Sequence, residues 1–558
     1  PIFMLSHFFE NEKTTITSSI AYQMGKQGRS RLDYANAANP NPNYWRYLPT
    51  IADNPQINWN RLYEANLNIQ NIPDGGAARY MLYEDRTDDD LLTINSTLNT
   101  KLNDHLTLDV GATYKDLKSE NFASPLDLLG AQYYRDINLF TIINGEPSRN
   151  DALGEENKGL GDRIKYNYDI NSSQANAFSQ LQFSYDKIDF FISGAYTNTN
   201  HQREGLFLNE SFEDNSLGES EKLTFNDFGV KGGFTYKITG RHLLMVNAGY
   251  MSKAPTIRNS FINSRENNNT VANLESELIT STEASYILRT SKIKARLTGY
   301  ITEFKEGTDI NFFFAQGGSG SDFFQEVVTE IDKRHLGAEL GIEYQITPTI
   351  KASAVAAFGQ HTYTDNANVG INFDTAGFNQ DLINNIGFED LGQAYIKDYK
   401  VANGPQRAYS LGLEYRDPKF WWVGATGNYL SNAYVDISTI TRTDSFFNNP
   451  DDFGFPFEDI DMDLARQLLK QEQFEGYYLV NLIGGKSWRV KGTYISFFAS
   501  INNIFDQTYR TGGYEQSRTA NYGDLVEDTA NGNSQRNFGP KYWYGFGRTY
   551  FINFAISF

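Results

Sequence analysis

The amino-acid sequence predicts an all-β fold, a transmembrane antiparallel β-barrel with long extracellular loops. Three observations predict it. Apolar and polar residues alternate along many segments. Short turns alternate with long polar loops along the chain, and aromatic residues make up 15% of the 558 residues.

The alternation is clearest between residues 106 and 114. Leu, Leu, Val, Ala and Tyr occupy every second position there, and Thr, Asp, Gly and Thr lie between them. Residues 92–102 and 336–346 show the same pattern. Successive strand side chains point to opposite faces, so each segment has one apolar and one polar or small face. In a bilayer such strands must close into a barrel, because every backbone polar group needs a partner within the protein.

The connections between these segments fall into two kinds. Short turns are predicted around residues 103–104, 186–187, 239–240, 290–291, 348 and 417–418. Long stretches rich in Asn, Gly and Asp are predicted at 25–75, 119–161, 364–403 and 437–473. Loops longer than about 15 residues are uncommon in compact domains. Short turns on one side and long loops on the other are typical of an outer-membrane barrel.

Aromatic residues gather where the strands should meet the membrane surfaces. Trp421 and Trp422 follow a short turn, and Trp488 lies near another. The aromatic residues 542–544 begin the last predicted strand. This distribution predicts two aromatic girdles. The alternative is a large soluble β-sandwich. It is disfavoured because the positions opposite the apolar rows are mostly Thr, Asn, Ser, Lys and Glu, which would not pack a second dry face.

Composition narrows the function classes. The net charge of -19 argues against a nucleic-acid partner, which needs a basic footprint. The sequence contains no run of about 18 apolar residues, so no transmembrane helix is predicted. The sequence has no cysteine, no phosphate-binding loop and no Gly-x-Ser-x-Gly motif, so no enzyme is predicted. The six histidines are widely spaced, and their spacing predicts no zinc or haem site.

The number of predicted strands indicates which part of a barrel this sequence covers. About 17 strands can be read from the sequence, whereas bacterial single-chain barrels have even numbers. The short turn at residues 11–13 makes the first strand run towards the short-turn side. We therefore expect residues 1–558 to be the C-terminal part of one outer-membrane barrel.

Several segments resemble one known family. They are KAPTIRNSF at 253–261, NLESELITSTEASYIL at 273–288, the hairpins at 337–359 and 404–436, SINNIFDQTYR at 500–510 and GRTYFINFAISF at 547–558. In this order they resemble the barrel of TonB-dependent outer-membrane receptors, of the SusC-like, carboxypeptidase-regulatory-domain type. That family's barrel has 22 strands around an N-terminal plug. The resemblance implies that the plug, any N-terminal domain and about five first strands lie outside this sequence.

The resemblance also implies a function. Such a receptor, in the outer membrane of a Gram-negative bacterium, takes up a bulky nutrient such as a siderophore, an oligosaccharide or a peptide. Implied partners are outer-membrane lipids, TonB through the N-terminal region, the barrel-assembly machinery, and a surface lipoprotein or other outer-membrane proteins. Two alternatives stay open: a structural subunit of a multi-protein outer-membrane complex with surface lipoproteins, and a passive porin.

The predicted outer loop at residues 41–63 is the candidate for ligand or partner contact. It combines aromatic rings with guanidinium donors, which bind sugars and often dominate protein interfaces. The candidate residues are Tyr44, Trp45, Arg46, Tyr47, Trp59, Arg61 and Tyr63. The alternative is that these side chains pack the loop against itself.

An acidic loop at residues 451–463 is a weaker candidate, for a metal ion. Asp459, Asp461 and Asp463 are oxygen donors at alternate positions, as Ca²⁺ prefers. No glycine or distal glutamate completes an EF-hand. The alternative is a solvated loop that leads into a short helix with Asp463 as its N-cap. No other cofactor is predicted.

The last strand is predicted to carry an assembly signal. Its apolar row consists of Tyr550, Ile552, Phe554, Ile556 and Phe558. We predict that this row is recognised by the barrel-assembly machinery.

Overall fold

The structure is a computed structural model. It describes residues 1–35, 37–42, 44, 47, 56–67, 76–143, 145–317, 320–373, 388–402, 404–449, 452, 454–518, 520–530, 536 and 538–557. Strands dominate these residues. In chain order they are β1 Ile2–Glu10, β2 Thr14–Tyr34, β3 Tyr80–Lys101, β4 Leu106–Asp127, β5 Tyr134–Arg135, β6 Ile137–Ile143, β7 Glu146–Arg149, β8 Asn157–Lys158, β9 Ile164–Ser184, β10 Ile188–Gly205, β11 Gly218–Glu219, β12 Leu223–Thr239, β13 His242–Lys253, β14 Glu277–Arg289, β15 Ile293–Gly317, β16 Gly320–Gln345, β17 Ile350–Tyr363, β18 Ala367–Phe373, β19 Phe388–Ala394, β20 Arg407–Asp417, β21 Trp421–Ser431, β22 Tyr477–Val490, β23 Thr493–Asn502, β24 Arg510–Tyr514, β25 Lys541–Tyr544 and β26 Thr549–Ser557.

Helices are few and short. The α-helices are α1 Trp59–Leu67, α2 Met462–Leu468 and α3 Tyr522–Ala530, and short 3-10 turns lie at Glu210–Phe212, Ile257–Asn259, Ile440–Arg442 and Asp444–Phe447. None of the helices in the described residues is long and apolar enough to cross a membrane.

One antiparallel sheet of 20 strands forms the wall of the molecule. Each long strand pairs with the next long strand along the chain, for example β2 with β3, β3 with β4 and β4 with β9. Small hairpins such as β6–β7 and β24–β25 stand outside this ladder. The architecture confirms the predicted all-β antiparallel fold.

With one exception, the connections separate by length between the two ends of the wall: β15 and β16 pair up to Gly317 and Gly320, so only residues 318–319 connect them at the loop end. On the turn end, eight connections of two to four residues join the long strands, at 11–13, 102–105, 185–187, 240–241, 290–292, 346–349, 418–420 and 491–492. On the loop end, the connections include 35–79, 128–163, 206–222, 254–276, 364–406, 432–476 and 503–548. This separation confirms the two kinds of connection that the sequence predicted.

The outer face of the wall is an apolar belt. Ile192 on β10 and Phe228 and Val230 on β12 are 55%, 62% and 57% exposed. Their side chains lie in a row on the same face of the two paired strands. Leu244 and Val246 on β13 continue that row. An exposed apolar surface of this extent is typical of a lipid-facing surface.

The aromatic girdle at the turn end needs one correction. Trp421 and Trp488 lie on the belt face and are exposed. Trp422 does not belong to the girdle, because alternation turns it to the other face, where it stacks on Arg416 at 5.4 Å and packs near Phe498.

The predicted final strand is also shorter than expected. Residues 542–544 belong to β25, which pairs with β24 in a loop hairpin, and β26 begins only at Thr549. On β26 the row Tyr550, Ile552, Phe554 and Ile556 is exposed, and Phe558 lies outside the described residues. The assembly role of this row stays a prediction.

The connection 254–276, here called the inner loop, folds against the inner face of the wall. Its Phe261 is 3% exposed and packs in a cluster with Tyr166 and Tyr168 of β9. Arg203 of β10, 2% exposed, donates from Nε to the carbonyl oxygen of Ser264 at 2.7 Å. The inner loop therefore occupies the outer part of the lumen instead of projecting away from the barrel.

Candidate functional site

A cavity of about 360 Å³ opens on the inner face of the wall near the loop end. It lies between the inner loop and strands β14 to β17. Its lining comprises Lys253, Ala254, Pro255, Thr256, Asn259, Glu275, Glu277, Glu306, Gly307, Thr308, Asp309, Ile331, Lys333, Tyr363, Val401, Ala402 and Asp436. The lining is mostly polar, so the cavity differs from the mainly apolar pockets of small-molecule sites and suits a ligand recognised through charge and hydrogen bonds.

The first turn of the inner loop forms one side of the cavity and is held firmly. The backbone N–H of Ala254 donates to Oδ2 of Asp227, a residue only 3% exposed, at 2.9 Å. The side chain of Asn259 donates to the carbonyl oxygen of Thr308 at 2.7 Å. These bonds fix Pro255 and Thr256 at the rim of the cavity.

The opposite side is shaped by an irregularity in the β15–β16 pair. The register shifts between Phe304 and Gly307, and Glu306 has a φ of 60°. The N–H of Glu306 donates to Oδ1 of Asp332 at 3.1 Å. Bulges re-aim side chains in this way, and here the bulge places Glu306 in the cavity wall.

The cavity is acidic. Five carboxylates, those of Glu275, Glu277, Glu306, Asp309 and Asp436, line it together with only two lysines. Burial and the neighbouring carboxylates Asp332, Glu330 and Glu275 raise the pKa of Glu306. Burial, with a smaller contribution from Asp309, also raises the pKa of Asp436. A cationic group of a bound ligand would reduce the electrostatic repulsion between these carboxylates.

Replacing Glu306 with glutamine should stabilise the protein at neutral pH. Because the pKa of Glu306 is raised in the folded protein, the folded state binds the proton more tightly than the unfolded chain, and stability falls as pH rises through that interval. The gain should vanish in acid, where both states are protonated. The temperature at which the barrel loses its heat-modifiable migration, measured at acid and neutral pH, checks this. An equal gain for the exposed Glu458→Gln would contradict it.

The outer-loop residues predicted for ligand contact are placed in two groups. The rings of Tyr44 and Tyr47 meet edge to face at 5.4 Å, and the hydroxyl of Tyr47 donates to the carbonyl oxygen of Asn39 at 2.8 Å. Trp45 and Arg46 lie outside the described residues. This first group thus makes contacts within its own loop.

The second group lies on α1. Trp59 and Tyr63 are 44% and 40% exposed, and Arg61 is exposed beside them, while Leu62 and Asn66 on the other side of the helix are buried. The helix thus presents an aromatic surface at the loop end. It lies apart from the cavity lining, so the structure does not join these residues with the cavity into one site. Their role in contact stays a prediction.

The acidic loop has a different N-cap from the predicted one. Asp461, not Asp463, caps α2, because its Oδ1 accepts from the N–H groups of Asp463 and Leu464 at 2.9 and 3.1 Å. Asp463 is the first-turn acid and pairs with Arg466 at 2.9 Å. Asp459 is exposed. Within the described part of the chain, no three His, Cys, Asp or Glu side chains are grouped so as to hold a metal ion.

Sequence reasoning missed the cavity as a site. The KAPTIRNSF segment at 253–261 contributes its rim, but in the sequence this segment indicated only the family resemblance. The acidic wall was not predicted, because it comes from strands far apart in sequence that pairing and a bulge bring together.

The chain is similar to proteins of one known family. Residues 7–504 match the family model described as TonB dependent receptor-like, beta-barrel. No curated protein sequence matches the chain significantly.

Similar solved structures are themselves receptors and transporters. They include the siderophore receptor PiuA from Acinetobacter baumannii, with 13% identity and a TM-score of 0.55 over 100% of this chain and 63% of that one. The ferric-catecholate import receptor Fiu from K12 E. coli, closed form, gives 13% and 0.53 over 100% and 63%. The copper transporter OprC gives 13% and 0.52 over 99% and 63%. At such identities the similarity shows the fold. The chain spans a little under two thirds of the length of each.

Proposed function

Because the chain belongs to the TonB-dependent receptor-like β-barrel family, we propose that it forms the barrel of an outer-membrane receptor for a bulky nutrient. Extracellular loops capture the ligand, and the inner-membrane TonB system supplies the energy for its passage. In this proposal residues 1–558 form the C-terminal part of the barrel, and TonB binds an N-terminal region of the receptor. The location in the outer membrane of a Gram-negative bacterium belongs to the same proposal.

One observation carries the proposal furthest: the cavity lies on the inner face of the wall and is bordered by the inner loop. A ligand arriving from the loop end meets this cavity before it can descend along the lumen. A pocket on the outer face or at the turn end would not support uptake in this direction.

The charge of the cavity favours one class among siderophores, oligosaccharides and peptides. Its five carboxylates and two lysines favour a ligand with a cationic group, such as a peptide with basic side chains. Besides Asp436, the loop at 432–476 adds nine carboxylates and three basic residues at the same end. A field of this sign attracts cationic ligands to the entrance.

A transport assay tests the proposal. Cells with and without the gene receive fluorescent peptides of equal length that are basic, neutral or acidic. We expect uptake of the basic peptide to require both this protein and TonB. Uptake that is independent of TonB, with steady ion conductance of the purified barrel, would indicate the passive porin instead. No uptake, with co-purification of surface lipoproteins, would indicate the structural subunit.

Within the same assay, neutralising the cavity should weaken capture. The pair Glu306→Gln with Asp436→Asn should lower apparent affinity for the basic peptide about tenfold, which is 1.4 kcal/mol of lost attraction. The matched control removes two exposed carboxylates from the acidic loop, by Glu458→Gln with Asp459→Asn, and should change affinity far less. Equal effects of the two pairs would place recognition outside the cavity.

A further inference from the structure

Lys333 places an ammonium group of the chain itself inside the acidic cavity. It is the register partner of Tyr363 across β16 and β17, and its Nζ lies 5.5 Å from the centre of the Tyr363 ring. Both residues line the cavity, and Tyr363 is 9% exposed. An ammonium group at this distance over an aromatic ring is attracted to the ring, and more strongly where water is excluded.

Two carboxylates of the cavity lie near Tyr363 and Lys333. Burial raises the pKa of the Tyr363 hydroxyl, and the charges of Asp436 and Asp309 raise it further. Burial also raises the pKa of Asp436, and the charge of Lys333 lowers it in turn. The aromatic ring, the two carboxylates and the ammonium group therefore interact as one electrostatic group within the cavity.

The ring and one carboxylate stand on fixed backbone, whereas the ammonium group is held loosely. The N–H of Asp436 donates to the carbonyl oxygen of Gly513 at 2.9 Å, and the N–H of Tyr363 donates to that of Tyr399 at 3.0 Å. In the described part of the chain, no carboxylate of the cavity forms an ion pair with Lys333. Because the four-carbon stem of a lysine is flexible, this ammonium group can move away while its surroundings stay in place.

We propose that Tyr363, Asp309 and Asp436 form a subsite for one primary ammonium group of the ligand. Lys333 occupies this subsite in the free receptor, and the ligand displaces it. The inference rests on the proposed uptake of a basic peptide and identifies the part of the cavity that binds it. A lysine side chain of the peptide presents the same chemical group to the same ring and carboxylates. The affinity is therefore set by the competition between two ammonium groups.

The second lysine of the cavity is placed differently. Lys253 lies at the end of β13, opposite Glu277 on β14, and it is exposed. Water and salt screen the charge of an exposed group more effectively than that of the partly buried Lys333. Lys333 is therefore the lysine whose removal should most affect the binding of a cationic ligand.

The test measures the binding of fluorescently labelled pentalysine to the receptor, produced from its whole gene and purified in detergent. Lys333→Met should bind pentalysine about tenfold more tightly, because the competing positive charge next to the subsite is removed. Lys333→Gln should show the same gain, so the result does not depend on the folding of one variant. Lys333→Arg keeps the charge and should bind as the wild type does. Binding of pentaglutamate should not increase in any variant.

Lys397→Met is the matched control. Lys397 is exposed at the loop end and does not line the cavity, so its replacement changes the net charge equally and should leave the affinity nearly unchanged. If Lys333→Met and Lys397→Met bind pentalysine equally, the inference is wrong, although binding by the wild type would still support a basic ligand. If neither the wild type nor any variant binds pentalysine, the proposed function and the inference both fail.

Discussion

Replacing Asn66 with alanine should detach α1 and its flanking loop from the barrel rim. Asn66 is fully buried, and its Nδ2 donates to the carbonyl oxygens of Tyr80, Leu128 and Leu129 at 2.8, 2.9 and 3.1 Å. Its Oδ1 accepts from the N–H groups of Arg79 and Tyr80 at 2.8 and 3.1 Å. Each buried backbone group left without a partner costs about 1–3 kcal/mol, so we expect a loss of at least about 3 kcal/mol in local stability.

Limited proteolysis measures this local loss. An opening that is about 3 kcal/mol easier should speed trypsin cleavage in the loop at 35–79 about 100-fold. Asn66→Asp should be as damaging, because a carboxylate cannot donate to the three carbonyl oxygens. Glu64→Ala, an exposed change on the same helix, is the matched control and should leave the cleavage rate nearly unchanged. Cleavage at the wild-type rate in Asn66→Ala would show that the bonds do not hold the loop.

Replacing Arg442 with alanine should loosen three outer loops together. Arg442 is 4% exposed and donates to Glu515 Oε1 at 2.9 Å, to Leu469 O at 2.8 Å and to Thr441 Oγ1 at 2.7 Å. Its guanidinium also lies 5.3 Å from the ring centre of Tyr399. Removing one partner of a buried ion pair leaves the other charge uncompensated, which costs about 3–5 kcal/mol.

The expected result is faster proteolysis in all three loops, at 364–406, 432–476 and 503–548. Arg466→Ala removes an exposed ion pair from the same part of the chain and should cost less than about 1 kcal/mol. The double variant Arg442→Met with Glu515→Leu should recover much of the loss, because no unpaired charge remains. A double variant as unstable as Arg442→Ala would mean that the hydrogen bonds to the carbonyl oxygens dominate instead.

The barrel was predictable because its constraints act locally. Side chains on a strand alternate with a period of two residues, and the lengths of the turns can be read directly from the sequence. The alternation located the wall strands but not all of their ends, because β2 and β4 continue to Tyr34 and Asp127 within stretches predicted as loops. The separation of short turns from long loops followed from the alternation. Trp422 shows the limit of a coarser argument: two consecutive tryptophans in one strand cannot both face the lipid.

The candidate sites were less predictable because they depend on pairing. The stacking of His335 on His361 across β16 and β17, for example, escaped a search for close spacing along the sequence, although hairpin register contains the signal. His335 lies ten positions before Gln345, and His361 lies ten positions after Lys351, which is the partner of Gln345. Any hairpin around residues 346–349 therefore brings the two together. Asn66 and Arg442 gave no such signal, because their partners come from loops whose folding no local pattern specifies.

The inner loop has a consequence for the order of assembly. It leaves the wall at β13 and returns at β14, yet its Arg265 lies 3.7 Å from Asp85 on β3 and 4.6 Å from the ring centre of Tyr166 on β9. These contacts close chain segments of more than ninety residues, and such contacts form late because the entropy of closure must first be overcome. The loop can dock only on a surface that β3, β9 and β10 have already completed. Protection of the inner loop therefore marks the moment at which this half of the wall has finished folding.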